Sequence, residues 1–330
     1  MLIVWLKFII CAAIIFFAGQ RLTKYGDAIA EKTGLSRTWI GIVLLAIITS
    51  LPEMANGISA AAIANVPDLA FGDILGACMI NMFNLALFDM FWRLRGKGSI
   101  FLKPQPSNIL SAFFGVVMLV FVALALLLSR FGIDLNILGI SVYSLIMFFL
   151  FMLFQRYLFT HSKADEIVVE EEYGHLSNFR IYLSFFIMAL IVIAAGSWLP
   201  FIGGDIVAVM GWGKTFVAVL FLGFATTLPE ATVSISALRL GEIGMAKGNL
   251  LGSNIFNVSL IFFVDIFYRQ GSLFAAVSSG MIFAALFGAV LMLVAYVTLR
   301  KRLVNGLSSY VIMILYVLSL FFLFKSGALS

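Results

Sequence analysis

The sequence predicts an all-α membrane protein, with ten transmembrane helices in two five-helix halves of inverted topology. Three observations predict it. Hydrophobic residues make up 63% of the 330-residue chain and charged residues only 11%, about half the charged share usual in soluble domains. Apolar runs recur along the whole length, and the mean hydropathy is +1.12. A short polar motif set inside two of those runs occurs twice. So much apolar surface needs lipid as its solvent, which excludes a cytosolic enzyme, a secreted disulfide scaffold and a nucleic-acid binder.

Cutting at polar or Gly-rich breaks gives ten spans, roughly 2 to 20, 37 to 63, 69 to 92, 108 to 129, 133 to 156, 180 to 200, 213 to 238, 246 to 268, 274 to 299 and 307 to 325. At about 1.5 Å per residue each can cross a hydrocarbon core of about 30 Å. The first is expected to be a retained helix and not a signal peptide, because Lys7 interrupts it and no clear small-residue cleavage site follows. Residues 1–156 form the first half, with its repeat over about 37–92. Residues 157–179 form a linker containing Glu170, Glu171, Glu172 and two histidines, His161 and His175, that read as solvated surface residues. Residues 180–330 form the second half, with its repeat over about 213–268. Cys11 and Cys78 make neither a disulfide framework nor a zinc site and are expected to be small buried apolar residues.

Basic residues set the orientation. The odd-numbered connections carry Arg21, Lys24, Lys32, Arg37, Arg93, Arg95, Lys97, Lys103, Arg156, Lys163, Arg180, Arg239, Lys247, Arg300, Lys301 and Arg302, sixteen against five on the other side: Lys7, Arg130, Lys214, Arg269 and Lys325. The positive-inside rule then makes the odd connections and the linker cytoplasmic and puts both termini outside.

The repeat carries most of the information. Thr49-Ser50-Leu51-Pro52-Glu53 recurs 177 residues later as Thr226-Thr227-Leu228-Pro229-Glu230. Gly76-Ala77-Cys78-Met79-Ile80-Asn81 matches Gly252-Ser253-Asn254-Ile255-Phe256-Asn257 at an offset of 176, and Asp89 and Arg93 match Asp265 and Arg269 at the same offset. The span holding Glu53 runs from inside to outside, and that holding Glu230 from outside to inside. The copies are thus inverted, an arrangement that sets two half-sites against each other near the bilayer midplane.

A Glu within an apolar helix costs about 2.5 to 3.5 kcal/mol on insertion scales. Neither Glu53 nor Glu230 has Lys, Arg or His close by on its own helix, so a bound cation is the more natural partner. Pro52 and Pro229 lack an N–H and clash with the carbonyls of Ile48 and Ala225, freeing backbone oxygens that are tolerated only inside protein or along a hydrated cavity. Thr49, Ser50, Thr226 and Thr227 add hydroxyls, and Asn81 and Asn257 add amides. This set of hard oxygens suits Ca²⁺ and not a soft metal. Two carboxylates neutralise one Ca²⁺ or two monovalent ions, so competition between those loads would couple their fluxes.

At these residues the chain resembles the sodium/calcium exchanger superfamily of cation/Ca²⁺ antiporters, whose alpha-repeats carry G-T-S-L-P-E and G-S-N-I-x-N/D motifs. The resemblance implies that spans two, three, seven and eight form a core around the ions while spans one and six slide against it. Carried over by motif, the metal site would comprise Glu53, Glu230, Thr49, Ser50, Thr226, Thr227, Asn81, Asn257 and Ser253, with backbone carbonyls near Ala46 and Gly223. The chain departs from the pattern at Ile48 and Ala225 in place of Gly, at Ala77 in place of Ser, and at Asp73 in place of Asn. Asp73 would make up for the hydroxyl lost at Ala77 only by reaching the cavity, and is expected instead to cap or satisfy the start of its helix. Asp89 and Asp265 are expected at Arg-paired or solvated helix ends, with Trp92 and Tyr268 in an aromatic belt.

The expected function is antiport of Ca²⁺ against Na⁺ by a multi-pass cell-membrane protein, with alternating access to one central site. The lipid bilayer and small inorganic cations are the expected partners, and no nucleic acid is. No cofactor is expected, Ca²⁺ and Na⁺ being cargo. A proton-coupled divalent cation exchanger of the same fold and, further off, a passive cation channel are the alternatives. An enzyme is not expected: no nucleophile or His-rich metal motif accompanies the acids, and no phosphate-cradling motif supports ATP-driven pumping.

Overall fold

The computed structural model describes residues 1–33, 46–102, 105–161, 177–239, 241–303 and 306–327. Helices account for nearly all of it: α1 (Leu2–Thr33), α2 (Ala46–Thr49), α3 (Leu51–Ile58), α4 (Pro67–Leu94), α5 (Pro106–Arg130), α6 (Val142–His161), α7 (Asn178–Met210), α8 (Lys214–Val217), α9 (Gly223–Thr226), α10 (Leu228–Arg239), α11 (Ile243–Phe267), α12 (Leu273–Ala276), α13 (Gly280–Lys301) and α14 (Leu307–Gly327). A two-residue antiparallel pairing of Asn136–Ile137 with Ile140–Ser141 precedes α6. Pro67 and Pro106 open α4 and α5, where a missing N–H costs nothing. Ser177 caps α7, and Gly211, at φ 67°, ends it.

Among the described residues, α1, α4, α5, α7, α11, α13 and α14 are each long and apolar enough to cross a membrane. An eighth span is the pair Lys214–Thr226 and Leu228–Arg239, bent by 46° at its break. The apolar stretch of α6, Val142–Leu158, is shorter. Of the expected span 37 to 63, residues 46–63 are described, and 37–45 lie outside the described residues, as do Lys103, Lys163, His175 and Glu170 to Glu172. The protein is therefore a multi-pass, nearly all-helical membrane protein.

Two expected spans are too short. α1 runs 32 residues and α7 33 residues, against 2 to 20 and 180 to 200. Both helices continue past the ends the sequence suggested, to Thr33 and Met210. Two glycines within them meet close neighbours: a Cβ at Gly19 would lie 2.6 Å from Cγ of Pro229, and one at Gly196 would lie 2.8 Å from the carbonyl of Pro52. Gly19 and Gly196 are themselves 177 residues apart, as are the two prolines. The peripheral helices α1 and α7 thus each abut the motif of the opposite repeat.

Burial divides the helices into centre and rim. α4 and α11 are buried over 72% and 78% of their most apolar windows, α1 and α7 over only 33%. α1 packs mainly along α7, and both turn large apolar side chains outward, among them Ile9, Phe17, Phe186 and Phe201. Lys7, expected merely to interrupt its span, pairs with Asp205 at 2.9 Å and so ties α1 to α7. Lys247, counted above with a connection, is buried inside α11.

The outer acids join distant segments. Asp89 is paired with Arg93 at 2.7 Å, as expected, and also accepts from Ser99 Oγ, Ile100 N–H and Ser309 Oγ at 2.5, 2.8 and 2.6 Å. Asp265 takes no such bond from Arg269. It accepts from Ser141 N–H and Ser144 Oγ at 2.7 and 2.5 Å, holding the start of α6. Trp92 and Tyr268 are buried against the core and not set in a lipid-facing belt; Lys97 lies over the Trp92 ring. Cys11 and Cys78 are free and fully buried, as expected.

Candidate functional site

Each motif breaks its helix at the same place. In the first, α2 ends at Thr49, Ser50 leaves helical geometry (φ −88°, ψ 13°) and α3 starts at Leu51 with Pro52 in its first turn. In the second, α9 ends at Thr226, Thr227 takes φ −82° and ψ 2°, and α10 starts at Leu228. The cause is the proline, which denies the helix one donor and pushes on the carbonyl four residues back. As a consequence Glu53 and Glu230 both fall in the first turn of a helix, where the unpaired N–H ends favour negative charge. A π-helical segment, Ala218–Leu222, precedes the second break, and another, Ser59–Ile63, follows α3. Insertions of this kind gather at functional sites.

The nine expected residues all lie inside the protein. Thr49, Ser50, Glu53, Asn81, Thr226, Thr227, Glu230, Ser253 and Asn257 are all buried. The two motifs touch: Ser50 Oγ donates to Glu230 Oε1 at 3.1 Å, Thr49 also lies beside Glu230, and Glu53 is within electrostatic reach of both Glu230 and Thr226. α4 and α11 cross at matched positions. Asn254 donates to the carbonyl of Cys78 at 3.0 Å, Cys78 Sγ donates to the carbonyl of Asn254 at 3.6 Å, and Asn81 Nδ2 donates to Asn254 Oδ1 at 3.0 Å.

What this interior leaves unpaired is more telling than what it pairs. Both carboxylate oxygens of Glu53, Oε2 of Glu230, Oδ1 of Asn81, Oγ of Ser253 and both amide atoms of Asn257 are buried without a hydrogen bond. Buried polar atoms are rarely left so, and each costs about 1–3 kcal/mol. Acceptor oxygens dominate the set, which is the requirement for holding a hard cation. Among the described residues no three His, Cys, Asp or Glu side chains sit close enough to hold a metal by themselves. A cation here would therefore need the neutral oxygens as well as the carboxylates.

One carbonyl is engaged within its own helix, and one expectation changes. The Gly223 carbonyl already accepts from Thr227 N–H at 3.1 Å and Thr227 Oγ at 2.8 Å. Asp73 does not cap its helix. α4 begins at Pro67, so Asp73 lies in its second turn, fully buried, with Oδ1 accepting from Thr226 Oγ at 2.9 Å across the repeats. Asn254, Asn249 and Asn56 were also passed over, and all are buried. The signal for Asp73 and Asn249 was present: 73, 77 and 81 are spaced to share one helix face, as are 249, 253 and 257.

Buried acids matched across two repeats, carried by lipid-embedded helices, define a class, the membrane ion transporter. The chain belongs to the family described as Sodium/calcium exchanger protein, which matches residues 3–157 and 181–325, and it is a membrane ion antiporter of that family. It is 27% identical over 264 residues to the uncharacterized membrane protein MJ0091 of Methanocaldococcus jannaschii, covering 78% of this chain and 80% of that one. In fold it is similar to the sodium-calcium exchanger NCX_Mj soaked with 2.5 mM Na⁺ and 10 mM Sr²⁺, with a TM-score of 0.62, 18% identity, and coverage of 96% of this chain and 98% of the other. It is also similar to the H⁺/Ca²⁺ exchanger CAX, with a TM-score of 0.77, 13% identity, and coverage of 99% and 86%.

Proposed function

We propose that this chain is a secondary active antiporter that exchanges Ca²⁺ for Na⁺ at the site built from Glu53 and Glu230. One observation carries the reading: two buried carboxylates, brought together from repeated motifs, have three of their four oxygens unpartnered. Each ionised carboxylate buried without compensation costs several kcal/mol. One Ca²⁺ cancels both charges, and two Na⁺ do the same, so either load can occupy the interior and neither can share it fully with the other. Ser50, Thr49, Thr226, Thr227, Ser253, Asn81 and Asn257 would supply the neutral oxygens that a divalent ion of six to eight ligands needs.

Alternating access would come from α1 and α7. They pack along each other, are joined by the Lys7–Asp205 pair, and face outward with apolar side chains. Lipid contact is non-directional, so displacing this pair along the core costs little in specific contacts. Its contacts with Pro52 and Pro229 lie one residue from the two acids, which links that displacement to the opening of the site. In the orientation favoured by the basic residues, both termini face outward, the linker is cytoplasmic, and Ca²⁺ leaves the cell.

The test is ⁴⁵Ca²⁺ uptake into proteoliposomes under imposed Na⁺, K⁺ or H⁺ gradients. An outward Na⁺ gradient is expected to drive uptake and a pH gradient alone to leave it at background. Uptake driven by the pH gradient in Na⁺-free medium would replace this reading with a proton-coupled exchanger. Ca²⁺ flux that persists without any counter-ion would replace it with a channel.

A further inference from the structure

α4 and α11 cross where residue 78 meets residue 254, a pair matched across the repeats at the offset of 176. Each of the two side chains bonds the other residue's carbonyl, but one is Asn and the other Cys. A backbone carbonyl can only accept, so the Cys78 carbonyl takes the Nδ2 end of Asn254, at 3.0 Å. Oδ1 is then the end of Asn254 left for Asn81, and it accepts from Asn81 Nδ2, also at 3.0 Å. Turning either amide over would set two oxygens against each other. What remains of Asn81 is Oδ1, which is buried and has no hydrogen-bond partner. The matched Asn257 has no such anchor. Where symmetry would place its partner stands Cys78, whose thiol bonds the Asn254 carbonyl at 3.6 Å, and both amide atoms of Asn257 are without a hydrogen bond.

We propose that Asn254 is a positioning residue for the transported cation: anchored on the Cys78 carbonyl, it holds Asn81 with its carbonyl oxygen, and not its amino group, free to face the ion. The inference rests on the exchanger reading above and adds to it what aims one neutral ligand. An Asn side chain carries an acceptor and two donors on a plane that can turn over, and only the acceptor end suits a hard cation. Asn254 uses both of its own ends on protein, so it acts on the ion only through Asn81. Groups that orient a metal ligand in this way matter for affinity nearly as much as the ligand does. The two half-sites then differ: α4 offers an amide oxygen fixed in advance, and α11 offers, at Asn257, an amide that no hydrogen bond fixes.

Asn254→Leu keeps the volume of the side chain and removes both ends of the relay. With the full chain in proteoliposomes, the Ca²⁺ concentration for half-maximal ⁴⁵Ca²⁺ exchange should rise by about tenfold or more, the range usual when a residue that orients a metal ligand is lost. A general loosening of the α4–α11 crossing would raise it too, so the same change is made in Asn81→Ala, where no amide is left to orient. There the added cost should vanish: the half-point of the double variant should lie within about twofold of Asn81→Ala alone, the non-additivity expected of residues that act as one unit. An equal rise in both backgrounds, or no rise in the single variant, would overturn the positioning role while leaving the exchanger reading intact. Absence of Ca²⁺ exchange in wild type would overturn that reading itself. Should Asn254→Leu fail to fold, Asn254→Ala serves, since its side chain reaches neither Cys78 nor Asn81: a rise seen only where Asn81 is present supports the role, and a rise in both backgrounds or in neither overturns it.

Discussion

Replacing Glu53 by Gln is expected to lower Ca²⁺ exchange by at least about a hundredfold, and Glu230→Gln to do the same. Gln keeps the volume and one carbonyl oxygen, so the core repacks little. What it removes is half of the negative charge that faces a divalent ion where water cannot substitute. Breaking a buried, charge-paired arrangement by deleting one partner costs about 3–5 kcal/mol, and each 1.4 kcal/mol is a factor of ten, which gives roughly a hundred- to a thousandfold or more. The double variant should be little worse than either single one, because the first loss already leaves the ion without its balancing charge. Stability should move the other way. Without ions, the carboxylates of Glu53 and Glu230 are buried with three unpartnered oxygens, so the Gln variants should melt at or above the wild-type temperature in ion-free buffer while losing the stabilisation that added Ca²⁺ gives wild type. Initial rates of ⁴⁵Ca²⁺ uptake and detergent melting curves with and without Ca²⁺ read both effects. Full activity in both single variants would remove the acids from the site.

Valine at Gly19 or at Gly196 is expected to slow exchange by at least about tenfold. The Cβ added at Gly19 would press on the Pro229 ring, and that at Gly196 on the Pro52 carbonyl and the Ala55 side chain at 2.8 and 3.0 Å. Neither a proline ring nor a backbone carbonyl can rotate out of the way. Overpacking of this kind costs about 1–3 kcal/mol. Here it falls between the α1–α7 pair and the helix breaks that carry the acids, so it should act on the movement that opens the site. Equilibrium Ca²⁺ binding should change less than the exchange rate does. Normal rates in both variants would show that α1 and α7 do not move against the motif prolines.

The acids were legible because a repeat reports itself. Two Glu residues 177 positions apart, each preceded by Pro, needed only a self-comparison. The proline breaks followed from the missing N–H, and both appear at the residue two places before Pro. Asp73 was noticed but assigned to a cap because its span was taken to begin near residue 69, whereas α4 already begins at Pro67 and carries Asp73 into the interior. Asn254 has Cys78 where the first repeat aligns with it, so no matched pair marked it in the sequence; its contacts are with Cys78 and Asn81 on the facing helix. α1 and α7 were cut short because polar or Gly-rich sequence reads as the end of a span, whereas the helices run on to Thr33 and Met210; only the packing shows that Gly19 and Gly196 within them make room for proline. The Asp265 bonds could not be read from sequence at all, since Ser141 and Ser144 lie more than 120 residues away along the chain.

The central claim is that Glu53 and Glu230 together hold one divalent ion. Anomalous diffraction from crystals of the full chain grown with Sr²⁺ or Ca²⁺ tests it most directly. The account predicts a single strong peak between the two carboxylates, with oxygens from both at about 2.3–2.6 Å for Ca²⁺, and its loss in Glu53→Gln. A peak elsewhere in the protein, with the Glu53 and Glu230 carboxylates still unoccupied, would contradict it.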